Sequence, residues 1–295
     1  MTTPIRAVVA ATDFSFSAHR AARRAGVLAK ELGARLDLLH VVDSSTAKAL
    51  LRRSPAVEVE QPLRLEAKRA LDSLAEDIVA AGGEVNGRVL REGRVLDEIL
   101  AVSASSDLFV LGPRGVNPLR DFILGSTAER IARMVECPML VVKQDPQIPY
   151  DNVLVPVDFS QYSAPSLQFA SRLAPRATLH VFHALDASLK PRLRSAGVTE
   201  DGVAAYTDEL QREANASMAE LTAAASLGQP VLSTVQVGDA RINIYERAAA
   251  NQCTLIVMGK QGRSWLSEHV LGSVTRRVLE RADCDVVVVP QSRPY

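Results

Sequence analysis

The chain is written twice. AVVAATDFS at 7–15 returns as NVLVPVDFS at 152–160, and SSDLFVLGPRG at 105–115 returns as QCTLIVMGKQG at 252–262. DFILGSTAERIARMVECPMLVV at 121–142 returns as EHVLGSVTRRVLERADCDVVVV at 268–289. Between them LLHVV (38–42) matches TLHVF (178–182), which pairs His40 with His180. A unit this long is a whole domain, not a solenoid repeat. The 295 residues are also about twice the ~150 usual for one domain. We expect two domains, 1–145 and 150–295, joined by Gln144–Tyr150, which two prolines stiffen. On this alignment the second copy loses about five residues near Pro175 and gains about seven before its fourth strand. Changes of that kind belong in loops and helix ends.

Each unit alternates short apolar runs with long amphipathic stretches, the pattern of βαβ units. In the first, strands are expected at Ile5–Ala11, Leu36–Val42, Val85–Leu90, Leu108–Leu111 and Met139–Val142. Helices are expected at Ser17–Leu32, about Pro62–Ala81, Arg94–Ala104 and Asp121–Glu136. Ser15 and Ser160 are candidate N-caps, and Gly33 and Gly82-Gly83 are helix stops. Runs such as VVVV and LFVL suit parallel strands covered on both faces. The expected fold is α/β: two tandem doubly wound domains, each a five-stranded parallel sheet in the order 3-2-1-4-5 with helices on both faces. Such sheets bind ligands beyond the carboxyl ends of their strands. That directs attention to Asp13, Val41 and Gly112, and to Asp158, Val181 and Gly259.

Charge excludes some classes. Lys+Arg and Asp+Glu are both 34, so no basic field draws the chain to nucleic acid or membrane. The longest charge-free stretch, Leu221–Gly238, is broken by Gly228-Gln229-Pro230 and is not a membrane span. Three cysteines with no CxxC fit a reducing cytoplasm, where we expect the protein to work. The apolar run before Asp13 is too short for a secretory signal.

The chemistry-bearing pattern is G-x-x-G-x9-G-S. It reads Gly112, Gly115, Gly125, Ser126 in the first copy and Gly259, Gly262, Gly272, Ser273 in the second. Glycine lets the backbone turn tightly and bring N–H groups to an anion. A Gly-Ser opening the next helix adds unpaired N–H groups and a hydroxyl, which favour phosphate. Thr127 supplies another hydroxyl, whereas its counterpart Val274 does not. The same glycines also serve if they only turn and pack the chain.

Asp-Phe-Ser after strand one, Leu-His-Val in strand two, the glycine loop and the Gly-Ser together resemble the universal stress protein family in its tandem form, over nearly the whole chain. The resemblance implies a stress-response or regulatory protein that binds ATP, with a divalent ion (Mg or Mn) on the phosphates. No protein ligand set for that ion is visible in the sequence. It implies that Asp13 and the main chain of Val41 lie against adenosine. Leu111, Gly112 and Gly115 would flank ribose and phosphates, and Gly125, Ser126 and Thr127 would hold the phosphates. The matching set is Asp158, Val181, Met258, Gly259, Gly262, Gly272, Ser273 and Val274. It further implies pairing through strand five, so the two domains would pair within one chain, and a homodimer of chains would be open to it. The second copy departs from the first at Thr254 for Asp107, His183 for Asp43 and Val274 for Thr127.

Other residues read as structure. His40 and His180 lie in apolar strands, while His19, His183 and His269 are scattered without metal spacing. Cys137, Cys253 and Cys284 flank strands as small packing residues, a redox role being the alternative. Arg114, Arg120, Lys260 and Arg263 either meet phosphates or solvate a loop. Arg64–Glu76 has the spacing of a solvated helix face. Neither loop reads GxxxxGK[ST], so binding without vigorous catalysis is the expectation. A slow adenine-nucleotide hydrolase using Asp13 or Asp158, and an interaction scaffold whose glycine loops are relics, are the alternatives.

Overall fold

The computed structural model describes residues 3–43, 60–113, 124–186, 188–262 and 270–290. The chain divides into two compact units, Met1–Pro149 and Tyr150–Tyr295.

The first unit runs β1 (Ala7–Ala11), α1 (Phe16–Leu32), β2 (Arg35–Asp43), α2 (Glu60–Ala80), β3 (Gly87–Gly93), α3 (Val95–Ser103), β4 (Leu108–Leu111), α4 (Ser126–Met134) and β5 (Met139–Val141). Its strands are parallel, in the order β3-β2-β1-β4-β5. Ser15 caps α1 by accepting from the Ala18 N–H at 3.3 Å. Gly33 ends it at φ 62, a left-handed turn that glycine makes without a Cβ penalty. The face of α1 toward the sheet carries Ala18, Ala21, Ala22, Ala25, Leu28 and Ala29, all buried. Short side chains let the helix lie close to the strands. The charged stretch at 64–76 does face outward, where Arg64 meets Glu92 and Asp72 meets Arg88. Such exposed pairs add little stability.

The second unit runs β6 (Asn152–Pro156), α5 (Ser163–Leu173), β7 (Thr178–Leu185), α6 (Leu189–Ser195), α7 (Glu200–Ala225), β8 (Val231–Val237), α8 (Ala240–Ala250), β9 (Leu255–Gly259), α9 (Ser273–Arg281) and β10 (Asp285–Val289). Its parallel order is β8-β7-β6-β9-β10, the same winding. One cap differs from expectation. α5 starts at Ser163 with Tyr162 as its N-cap, and the Ser160 hydroxyl takes the Tyr162 N–H at 3.4 Å.

The segment between the units is tied at both ends. Arg24, buried in α1, donates to the Asp145 carbonyl at 2.8 Å, and Asp145 turns the chain by accepting the Gln147 N–H. Tyr150 donates its hydroxyl to Asp285 at 2.6 Å, where the carboxyl is 0% exposed.

Asp107 accepts the Arg6 and Ala7 N–H groups at 2.8 and 2.9 Å, so it clamps the start of β1. Its replacement by Thr254 therefore lies at the amino ends of the strands, away from any crevice at their carboxyl ends.

Candidate functional site

In doubly wound sheets the crevice opens where the strand order reverses, here between β1 and β4 and between β6 and β9. Both first strands run into the same turn. Asp13 accepts the Ser15 N–H at 3.0 Å, and Asp158 accepts the Ser160 N–H at 3.0 Å. Asp158 also takes the Ser163 hydroxyl at 3.2 Å on the same oxygen. The residue between is a phenylalanine at positive φ in each unit: Phe14 at 61° and Phe159 at 58°. A bulky side chain there is strained and persists only when its surroundings hold it. A histidine does the holding. Phe14 tilts onto His40 and Phe159 onto His183, both with ring centroids 4.4 Å apart. Each histidine reaches back to the first strand, His40 Nδ1 to the Thr12 carbonyl and His183 Nδ1 to the Val157 carbonyl, both at 2.8 Å. A carbonyl only accepts, so Nδ1 carries the proton in both rings.

This repeated device corrects the alignment of the two copies. His40 corresponds to His183, three residues beyond His180. The register agrees, since Thr12 N–H bonds Leu39 and Val157 N–H bonds Phe182. The second copy is thus two residues shorter before its second strand, not about five. The counterpart of Val41 becomes Ala184 and that of Asp43 becomes Asp186. Val181 lies inside the sheet opposite Val155 and fully buried, away from the carboxyl end. The legible signal was HVVD at 40–43 against HALD at 183–186. The shared Leu-His-Val obscured it. His180 instead meets the Asn152 side chain at 3.1 Å, and burial, then the Arg247 charge, lowers its pKa.

The three glycines of the loop have different reasons. A Cβ on Gly112 would lie 2.8 Å from the Ser17 backbone carbonyl, and one on Gly259 would lie 2.6 Å from Tyr162 Cβ. The first glycine therefore lets the strand end pass under the first helix. A Cβ on Gly262 would lie 2.8 Å from Asp158 Oδ2, so the second makes room for the carboxylate. Gly272 meets nothing closer than 3.4 Å. It bonds the Lys260 carbonyl through its N–H at 3.0 Å and is the N-cap of α9, as Gly125 bonds Pro113 and caps α4. Neither cap residue provides a side-chain acceptor for the first-turn N–H groups of its helix. Ser126, Thr127 and Ser273 stand exposed there.

In the second unit these pieces enclose a pocket of about 160 Å³. Asp158, Met258, Gly259, Gly262, Gly272, Ser273 and Val274 line it, and Val181 does not. The sequence reading missed Tyr162, Ser163, His183, Ala184, Gln261 and Thr275, and also Ala240 and Ile244 from the start of α8. Nothing in the pattern of α8 marks it as a pocket wall. Its lining is of two kinds: Val157, Ala184, Ala240 and Ile244 are apolar, while Ser273 and the α9 N-terminus bring a hydroxyl and backbone donors. Thr275 is occupied, donating to the Gly259 carbonyl at 2.9 Å. Lys260 is buried and off the pocket wall, which is neither of its expected roles. In the first unit Asp13 is exposed, Leu111 is buried at the end of β4, and Val41 is half-buried near the end of β2. Gly115, Arg114, Arg120, Arg263 and His269 lie outside the described residues.

The cysteines are poor redox candidates. Burial pushes the Cys137 thiol up to about 11 and the Cys253 thiol up to about 12, so neither is a thiolate at neutral pH. Cys284 is buried as well. Among the described residues no group of three or more His, Cys, Asp or Glu could hold a metal, and no helix is long and apolar enough to cross a membrane.

Fold and pocket together define a tandem doubly wound α/β protein with a crevice at the strand-order reversal. The universal stress protein family profile matches residues 4–143 and again 149–290. A universal stress protein of Mycolicibacterium smegmatis is 27% identical over 236 residues, 76% of each chain. One from Methanocaldococcus jannaschii is 32% identical over 139 residues, 46% of this chain and 81% of its own. The crystal structure of a universal stress protein from Archaeoglobus fulgidus shares the fold, with a TM-score of 0.68 at 22% identity over 96% of both chains. The chain belongs to the universal stress protein family, in its tandem two-domain form.

Proposed function

We propose that this is a cytoplasmic stress-responsive binding protein that takes ATP or a related adenine nucleotide at the glycine loop of each unit. The pocket of the second unit carries the reading. Its apolar lining suits a base, and its serine hydroxyl and the N-terminus of α9, which has no side-chain cap, supply donors of the kind a phosphate needs. The enclosed volume of about 160 Å³ is near that of a cavity holding one aromatic ring. A base would fill it while phosphates reach toward exposed Ser273. In the first unit Asp13, Val41, Leu111, Gly112, Gly115, Gly125, Ser126 and Thr127 are the proposed set. In the second, Ala184 takes the place proposed for Val181. A divalent ion would sit on the phosphates with water, since among the described residues no carboxylate cluster is there to hold it. The reading is binding rather than turnover, because one Asp158 oxygen already accepts two donors of its own chain.

Nucleotide released on denaturing the purified chain should be an adenine nucleotide. Mg-ATP at a hundred times its Kd should stabilise the fold by about 2.7 kcal/mol, raising Tm by several degrees. No released nucleotide together with an unmoved Tm in millimolar Mg-ATP would leave the scaffold reading in its place.

Pairing through strand five is part of the same proposal, as is a homodimer of chains. β5 bonds β4 and β10 bonds β9, and each ends its unit's strand order. A strand at the end of an order carries backbone N–H and C=O groups that can pair with another strand. A fragment of one unit is expected to sediment as a dimer, and a strictly monomeric fragment would refute the pairing.

A further inference from the structure

The pocket of the second unit is braced by a buried chain of side-chain hydrogen bonds. Tyr162 donates its hydroxyl to Gln261 Oε1 at 2.8 Å, and Gln261 Nε2 donates to the Val270 carbonyl at 2.5 Å. Both side chains are nearly closed to solvent, Tyr162 at 7% and Gln261 at 6% exposure. The chain joins three segments of the pocket: the start of α5, the glycine loop, and the approach to Gly272 and α9. The stem of Tyr162 lies on Gly259, at the place where a Cβ would lie. Its tip reaches the loop two residues on. The amide orientation is fixed, because a reversed amide would set its oxygen against the Val270 carbonyl. Buried and satisfied, such a network rigidifies the backbone that carries it.

The first unit carries different residues at both places of this brace. The residue at the place of Tyr162 is Ser17, whose short hydroxyl lies 3.2 Å from Ser15 Oγ. The residue at the place of Gln261 is Arg114, and a guanidinium has no acceptor atom for a hydroxyl donor. A loop ordered before binding loses less freedom on binding, which strengthens affinity without new contacts.

We propose that Tyr162 and Gln261 are positioning residues that hold Gly259–Gly262 and Val270–Ser273 in their binding shape and make the second unit the tighter of two nucleotide sites. The inference rests on the nucleotide reading above and adds a rank order to it.

Calorimetric titration of the full chain with Mg-ATP tests it. Ser126→Asp and Ser273→Asp place a carboxylate where phosphate is proposed, silencing the first and second sites respectively. Both serines are exposed at a helix start, where aspartate is compatible with the fold. The Ser126→Asp chain should keep the tight isotherm. The Ser273→Asp chain should keep only one weaker by about five- to tenfold, the effect of roughly one buried hydrogen bond. Adding Tyr162→Phe to Ser126→Asp keeps the ring on Gly259 and should weaken the tight isotherm by the same factor. Gln261→Leu, which loses both bonds without adding a charge, should do likewise. Tyr162→Phe added to Ser273→Asp should leave the remaining isotherm unmoved, which a general loss of structure would not do. Without nucleotide, amide exchange at Gly262 and Val270 should quicken in Tyr162→Phe. Equal affinities at the two sites, or an unchanged tight isotherm in Tyr162→Phe and Gln261→Leu, would overturn the rank order alone. Absence of binding heat in the unaltered chain would overturn the nucleotide reading itself.

Discussion

Gly259→Ala should destabilise the second unit by about 1–3 kcal/mol with no ligand present, because the added methyl overpacks a filled site. Its Cβ would lie 2.6 Å from Tyr162 Cβ, at the stem of a buried side chain that cannot swing aside. Gly112→Ala should cost as much, since the obstacle at 2.8 Å is backbone of Ser17. Gly272→Ala is the contrast. Its nearest neighbour is 3.4 Å away and its φ of −58° suits any residue. Less than about 1 kcal/mol is expected there, the usual difference between glycine and alanine at an N-cap. Urea unfolding of the full chain reads all three. Equal losses at Gly259 and Gly272 would refute this division of the motif into a packing glycine and a capping glycine.

Tyr150→Phe is expected to cost about 1.5–3 kcal/mol, the range for a buried hydrogen bond to a carboxylate whose partner is removed. The hydroxyl lies 2.6 Å from Asp285 Oδ2, and Asp285 is 0% exposed in β10. Tyr206→Phe is the control, because Tyr206 is 38% exposed on α7 and a surface change of this kind moves stability by less than about 0.5 kcal/mol. If both variants unfold at the urea concentration of the unaltered chain, the Tyr150–Asp285 bond contributes nothing to the second unit.

Much of the fold was legible because its signals are local. Leu108–Leu111 is a strand at the expected residues, since four apolar side chains in a row need burial on both faces. Gly33 stops α1 as expected, since a left-handed residue is wanted there and glycine supplies it. Boundaries set by tertiary contact were less legible. The fourth helix was expected from Asp121 and is described from Ser126, where Gly125 hands its N–H to Pro113 across the loop. The third strand was expected to end at Leu90 and continues to Gly93, because β2 extends to Asp43 and pairs with it there.

The site divides the same way. Sequence alone determined that the chain is duplicated, that each copy winds a parallel sheet, and that Asp158 and the three glycines with Ser273 lie near one another. Those features follow from periodicity, strand ends and spacing, which are properties of short stretches. Only the tertiary structure decided which histidine corresponds to His40, since two Leu-His-Val-like matches compete and pairing with β6 chooses between them. Only it brought Ala240 and Ile244 of α8 to the pocket and set Tyr162 against Gln261. Those partners are far apart along the chain, and their meeting depends on helix placement over a sheet, to which no local pattern is sensitive. The physical reason is range. Backbone propensity and hydrophobic period act over a few residues, whereas a glycine loop acquires its walls and its brace from side chains that only packing brings within 3 Å.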